Sequence, residues 1–257
     1  MSSTSSADRF NSVAASYRTS EVHRSSPALE RLRSIVPAVE SICDVGCGAG
    51  HTALSFAGSA ARIVGVDPAP RMLEQVRQLA AERGVAVETV QAFAESIPLG
   101  SASFDLVVSR LAAHHFADLD RAFREMARLV KPGGRVAIID LEGDEDPAVD
   151  HFNHEIELLH DPTHVRSYPA SIWKMQFLGA GLTIEICETR LRELPEGLTI
   201  RRWCEISQSG AAALEKIREC MTNAPPEILA ALDIACDEDG EFRISVRTLF
   251  LIGRKPA

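Results

Sequence analysis

The stretch SICDVGCGAGHTALSFA, residues 41–57, restricts the fold of this chain more than any other segment. A short apolar run ends in Asp44. Gly46, Gly48 and Gly50 then fall at every second position, and a helical pattern begins. Glycine permits a tight turn and lets a ligand approach the backbone closely. The free N–H groups of the first helical turn face the same space. Strand, glycine turn and helix N-terminus together make a site for a nucleotide-like ligand. About twenty residues on, the run RIVGVD ends in Asp67, where a carboxylate can accept both hydroxyls of a ribose.

The alternation continues downstream. PRMLEQVRQLAAERG has helical spacing, AVETVQA and FDLVVSR read as strands, DLDRAFREMARLVKPGG as a helix with Pro and Gly behind it, and RVAIIDL as a strand. Alternating strands and helices imply a parallel sheet covered on both faces. Residues 10–36 read as helical with a break near Pro27. Residues 142–167 are acidic and His-rich, and PASIWKMQFLGAG and LTIEICETR follow as helix and strand. Residues 195–240 are interrupted helix. FRISVRTLFLIGRKP is read as one closing strand that pairs with the strand before the insertion. The expected organisation is a single domain: an N-terminal helical segment 1–36, a core of 37–194 and 241–257, and a helical lid 195–240.

Composition narrows the function. The chain has 257 residues, is 46% hydrophobic and carries a formal net charge of −9, so no nucleic-acid footprint is expected. Six cysteines without a C-x-x-C pair read as reduced thiols of a cytoplasmic protein. The start of the chain lacks the apolar centre of a signal peptide, and no stretch approaches membrane-spanning length.

The glycine pattern separates cofactors. A dinucleotide fingerprint, G-x-G-x-x-G, would require glycine where His51 stands. G-x-G-x-G preceded by Asp44 suits a cofactor with an ammonium group and no phosphate, which describes S-adenosylmethionine. An NAD(P)-dependent oxidoreductase remains an alternative, opposed by His51 and by the lack of a Tyr-x-x-x-Lys pair. A non-catalytic scaffold that only binds S-adenosylmethionine is the second alternative.

Taken with GVDPAPRMLEQVR and AESIPLGSASFDLVVSRLAAHHFADLDRAFREMARLVKPGGRVAIID, the glycine turn resembles the class I S-adenosylmethionine-dependent methyltransferases. The resemblance is nearest the branch that holds the ubiquinone/menaquinone-biosynthesis C-methyltransferases and many small-molecule methyltransferases. It implies a Rossmann-like, seven-stranded, mostly parallel sheet with the last strand antiparallel, helices on both faces and helical cap insertions. It also implies a cofactor site. Gly46 and Gly48 would line the methionine moiety with Asp44 nearby, Asp67 would hold the ribose, and Met72 would lie against adenine. Ala94 and Glu95 would meet the adenine edge, Arg110 would sit near the methionine end, and Tyr17 and His23 would fold over the cofactor. Phe93 stands where the family often has Asp, so adenine would rely on backbone groups and stacking.

Ligands of open parallel sheets bind outside the carboxyl ends of the strands. His114 and His115, just past FDLVVSR, are therefore the candidate catalytic residues, as a general base or as groups that only position the acceptor. His164 and Arg166, in DPTHVRSY, resemble a stretch bordering the acceptor pocket and are preferred to His151 and His154. Trp203 is a lid or packing residue. No metal is expected: H-E-x-x-H is absent, and a sulfonium already activates its methyl group. The expected partner is a small-molecule acceptor, with neither nucleic acid nor membrane insertion; a homodimer is compatible. The atom methylated is left open.

Overall fold

The computed structural model describes residues 6–19, 24 and 26–257, with the backbone alone for Ala15, Ser16, Tyr17 and Thr19. In chain order the elements are α1 (Ser6–Thr19), α2 (Pro27–Ile35), β1 (Ser41–Val45), α3 (His51–Ser55), β2 (Arg62–Asp67), α4 (Pro70–Glu82), β3 (Glu88–Gln91) and β4 (Phe104–Arg110). After a 3-10 turn (Ala113–His115) come α5 (Leu119–Leu129), β5 (Val130–Leu141), α6 (Pro147–His160), α7 (Ala170–Gly179) and β6 (Thr183–Arg192). The chain ends with β7 (Leu198–Thr199), α8 (Ile200–Ser207), α9 (Ala211–Asn223), α10 (Pro226–Ala231), β8 (Ala235–Cys236), β9 (Phe242–Ile244) and β10 (Arg247–Arg254).

Seven strands form one sheet in the order β3-β2-β1-β4-β5-β10-β6. β1 pairs in parallel with both β2 and β4, and β10 runs antiparallel between β5 and β6. This is the Rossmann-like sheet expected. Because strand side chains alternate, Ile42, Leu106, Val108, Ala137 and Ile139 face the layer holding α2 and Phe56. Cys43, Val45, Val107, Val136 and Ile138 face the layer holding α5 and α7. On that second side Phe123 meets Phe177 edge-on, with centroids 5.3 Å apart, and Trp173 at a tilt, with centroids 6.0 Å apart. Truncating such a buried aromatic to Ala costs about 3–5 kcal/mol.

Several elements differ from the expected pattern. The helix after the glycine turn is short, ending at Ser55. Lys131 to Gly134 form an irregularity inside β5 rather than a helix end, since the partner of Phe104 is Val130 while that of Leu106 is Arg135. The closing apolar segment is two strands. Arg247–Arg254 completes the main sheet, whereas Phe242–Ile244 joins β7 and β8 in a separate three-stranded sheet. The insertion therefore combines α8, α9 and α10 with this small sheet. Its apolar side chains close on α6 in a core of their own, with Phe152 and Ile156 against Trp203, Ile217, Met221 and Phe242.

Candidate active site

The strand order reverses between the parallel neighbours β1 and β4, and the space beyond the carboxyl ends of these two strands is where an open parallel sheet takes ligands. The glycine turn is fixed there by Gly46 N–H and Cys47 N–H, which donate to the Val66 carbonyl at 2.8 and 3.0 Å. Gly48 N–H donates to Asp67 Oδ2 and Ala69 N–H to Asp67 Oδ1, both at 2.9 Å. Beneath the turn, Asp44 Oδ2 accepts from Ala53 N–H at 3.0 Å, tying β1 to the first turn of α3. Gly46 takes φ +70°, and a Cβ there would lie 2.6 Å from the Ala112 Cβ. Gly48 takes φ +50°, and among the described residues a Cβ there would meet nothing within 4 Å beyond its chain neighbours. The backbone at Gly48 thus borders open space.

That space is a cavity lined by Gly46, Gly48, Asp67, Met72 and Arg110, with Phe93, Ala94 and Glu95 along one wall. Asp67 is 6% exposed, and burial lifts its carboxyl to about 6 despite its two backbone donors. Each of its oxygens accepts one N–H, which leaves acceptor capacity for a ligand hydroxyl. Arg110 is buried and donates through Nε to Thr52 Oγ1 at 2.9 Å. Burial lowers its pKa, and the field of Glu193, Asp44 and Asp140 offsets this only in part. Phe93 is 54% exposed although it lines the cavity. Ser6 and Phe10 of α1 close the top, and Arg9 donates to the Ser207 carbonyl, so α1 also reaches the insertion.

A second cavity opens on the far side of Leu111 and His115, the two residues that line both. Leu111 has φ +51°, a left-handed conformation costly for a branched side chain, at the junction of the two spaces. The second cavity has a polar wall of His114, Glu157, His160, Asp161 and His164 and an apolar wall drawn largely from the insertion, including Trp203, Ile206, Leu232 and Ile244. His160 stacks flat on Trp203, with centroids 3.9 Å apart and planes at 12°.

The two adjacent histidines differ in their partners. His114 is buried, and its Nδ1 lies 2.5 Å from Asp140 Oδ1. Burial opposes a charge on His114, but the Asp140 carboxylate outweighs it and raises the pKa above the ordinary value. His115 Nδ1 is 3.0 Å from the Thr163 carbonyl. A carbonyl only accepts, so Nδ1 carries the proton and Nε2 a lone pair. Burial and the neighbouring His114 hold the His115 pKa below its ordinary value. Among the described residues no group of three or more His, Cys, Asp or Glu side chains could hold a metal ion.

Residues 43–138 match the methyltransferase domain family. The uncharacterized methyltransferase YcgJ of Bacillus subtilis is 42% identical over 137 residues, 53% of this chain and 54% of its own length. Its crystal structure superposes with a TM-score of 0.82 at 30% identity, covering 90% of this chain and 98% of that one. The uncharacterized protein YafE of Escherichia coli is 31% identical over 77% of this chain and 93% of its own length. The ubiquinone/menaquinone biosynthesis C-methyltransferase UbiE of Hahella chejuensis is 31% identical over 54% of this chain and 61% of its own length. The chain belongs to the class I methyltransferase family.

Most of the residues singled out in the methyltransferase sequence do converge. Gly46, Gly48, Asp67, Met72, Ala94, Glu95 and Arg110 line the first cavity, His114, His164 and Trp203 the second, and His115 both. Glu95 also accepts from Ala117 N–H at 2.8 Å, so it braces the segment leading into α5. Trp203 both lines the second cavity and packs in the core of the insertion. Two residues fall elsewhere. Asp44 is 1% exposed and lies under the turn, not on the cavity wall. Arg166 pairs with Asp150, and its side chain is 45% exposed, so it does not line the second cavity. Tyr17 lies in α1 with its side chain outside the described residues, and His23 is itself outside them. Sequence reasoning missed Leu111, Asp140 and Glu157, and had His160 only as a member of the His-rich segment 142–167. The clue to Asp140 was available: like Asp44 and Asp67, it closes a hydrophobic strand at its carboxyl end.

Proposed function

We propose that this protein transfers a methyl group from S-adenosylmethionine to a small organic molecule bound in the second cavity. The observation that carries this reading is the meeting of the two cavities at Leu111 and His115. The first cavity suits S-adenosylmethionine: the open face of Gly48 leaves room for a ligand against the backbone, and the spare acceptor capacity of Asp67 suits ribose hydroxyls. Phe93 and Met72 offer apolar surface to adenine, as expected where Phe93 takes the place of an aspartate. When bound, S-adenosylmethionine supplies an electrophilic methyl group on a positively charged sulfur.

The chain's own work is to bind, orient and exclude water. Phe10 of α1 packs edge-on against His115, with centroids 4.8 Å apart, and closes the junction from above. Trp203 and the aliphatic wall of the insertion hold an apolar body, while the polar wall beside His115 receives the reacting heteroatom. The acceptor is therefore a compact, largely apolar molecule with one protic nucleophile. Calorimetry with S-adenosylmethionine, S-adenosylhomocysteine and NAD tests the cofactor, and preferential NAD binding would overturn the reading. Methyl transfer to a panel of small hydroxylated and amino compounds tests the reaction. Tight S-adenosylmethionine binding without transfer to any of them would leave a binding scaffold.

A further inference from the structure

We infer that His114, oriented by Asp140, is the general base that takes the acceptor's proton, and that the adjacent His115 is not. The inference rests on the proposed methyl transfer and assigns a step within it.

Asp140 is fully buried at the end of β5 and its carboxylate cannot turn freely. Oδ2 accepts Ala112 N–H at 2.9 Å and Ala113 N–H at 2.7 Å; Oδ1 accepts Leu141 N–H at 2.8 Å and faces His114 Nδ1 at 2.5 Å. An ionised carboxylate only accepts, so the proton on His114 sits at Nδ1 and the basic lone pair at Nε2. No other hydrogen bond engages the His114 ring among the described residues. The ring lines the second cavity, beside the junction with the first. The backbone of the same turn is fixed from the other side, because Val165 N–H and Arg166 N–H both donate to the His114 carbonyl, at 2.9 and 3.1 Å.

Four imidazoles line the second cavity. His160 is engaged at both nitrogens, with Nε2 3.2 Å from the Trp203 carbonyl and Nδ1 3.7 Å from Glu157, and the surroundings of the other three separate them. His115 gives its Nδ1 proton to a neutral carbonyl and has no bonded carboxylate. His164 stacks on His114 at 5.4 Å, and burial lowers its pKa to about 4. His114 alone of the three is bonded to a carboxylate. The charged and titratable groups facing it are Asp140 from β5, Glu157 from α6, Asp161 and His164 from the following loop, and His115 beside it. The three carboxylates favour the imidazolium, and His115 and His164 stay neutral beside it.

In the step, the acceptor's O–H or N–H bond breaks, its electron pair stays on the heteroatom and its proton goes to Nε2 of His114. The imidazolium is held by Asp140 until solvent takes the proton, so the site releases one proton per turnover.

The test combines nitrogen-15 histidine NMR with pH–rate profiles on the full chain, using whichever acceptor the panel yields. In the parent, His114 should titrate above 6.5 while His115 and His164 stay neutral to lower pH. The turnover number should rise with pH through the His114 midpoint, because the base must be unprotonated. Asp140→Asn should move that midpoint and the rising limb together to lower pH. It should also cut kcat about a hundred-fold, with KM little changed. His115→Gln should change KM more than kcat. If Asp140→Asn does not fold, the parent titration and His114→Gln decide. A His114 midpoint below 6.5 in the parent, or a rising limb that does not follow the midpoint, would overturn the inference while leaving methyl transfer in place. Loss of the donor reading appears separately, as absent S-adenosylmethionine binding in calorimetry, and would overturn both.

Discussion

Replacing Gly48 by Ala separates folding from cofactor binding, because the structure treats its two consequences differently. Gly48 has φ +50°, so an L residue there pays a left-handed penalty of about 1–2 kcal/mol. Beyond its chain neighbours, no atom of the described residues lies within 4 Å of the new Cβ, so packing against them adds nothing further. For a chain of this size that corresponds to a fall in Tm of about 2–8 °C. The methyl would, however, project into the space assigned to S-adenosylmethionine. Overpacking of a fitted site costs about 1–3 kcal/mol, which is a roughly five- to 150-fold rise in Kd. Gly46→Ala is the contrast. Its Cβ would overlap Ala112 at 2.6 Å, so stability should suffer more than at Gly48. Thermal scanning and calorimetry on purified Gly48→Ala decide the matter. A modest Tm loss with unchanged S-adenosylmethionine affinity would refute the placement of the ligand against this backbone face.

Asp67→Ala should weaken S-adenosylmethionine binding by about 1.5–3 kcal/mol, the scale of hydrogen bonds to a charged group, and titration calorimetry measures it directly. Burial lifts Asp44 from 3.8 to about 7, so its contribution to stability is complete below pH 3.8 and is lost as pH rises through 7. Relative to Asp44→Asn, the parent should therefore lose stability across that window, by at most about 4 kcal/mol; a difference in denaturation free energy that stays flat with pH would contradict this. Arg166→Ala removes a half-exposed ion pair with Asp150 and should change stability by less than about 1 kcal/mol and leave acceptor binding intact, as chemical denaturation and steady-state kinetics would report. The insertion between β6 and β10 should exchange its amides faster than the main sheet, and slow when cofactor and acceptor bind, because its helices are short and separated by charged turns; equal protection in every state would remove the idea that it closes over the acceptor.

The amino-acid sequence by itself determined the parallel part of the main sheet and the glycine-turn wall of the first cavity. Asp44, the three glycines and Asp67 are close in sequence or separated by one helix, so strand, turn and helix bring them together by local geometry alone. The alternation of Ile42, Cys43 and Asp44, or of Leu106, Val107 and Val108, likewise writes two buried faces directly into the chain. The second cavity was different. Its walls come from β4, α6, the loop before α7 and the insertion, which are separated by up to a hundred residues or more and meet only when the insertion packs on α6. Periodicity could not show that FRIS leaves the main sheet for β7 and β8, because apolar strand residues look the same in either sheet. Nor could it place His160 on Trp203 or turn Arg166 outward to Asp150, since both depend on which helix face meets the insertion. The choice between His114 and His115 also needed the fold. Adjacent residues share every local property, and only the three-dimensional approach of Asp140 to one and the Thr163 carbonyl to the other makes their chemistry differ.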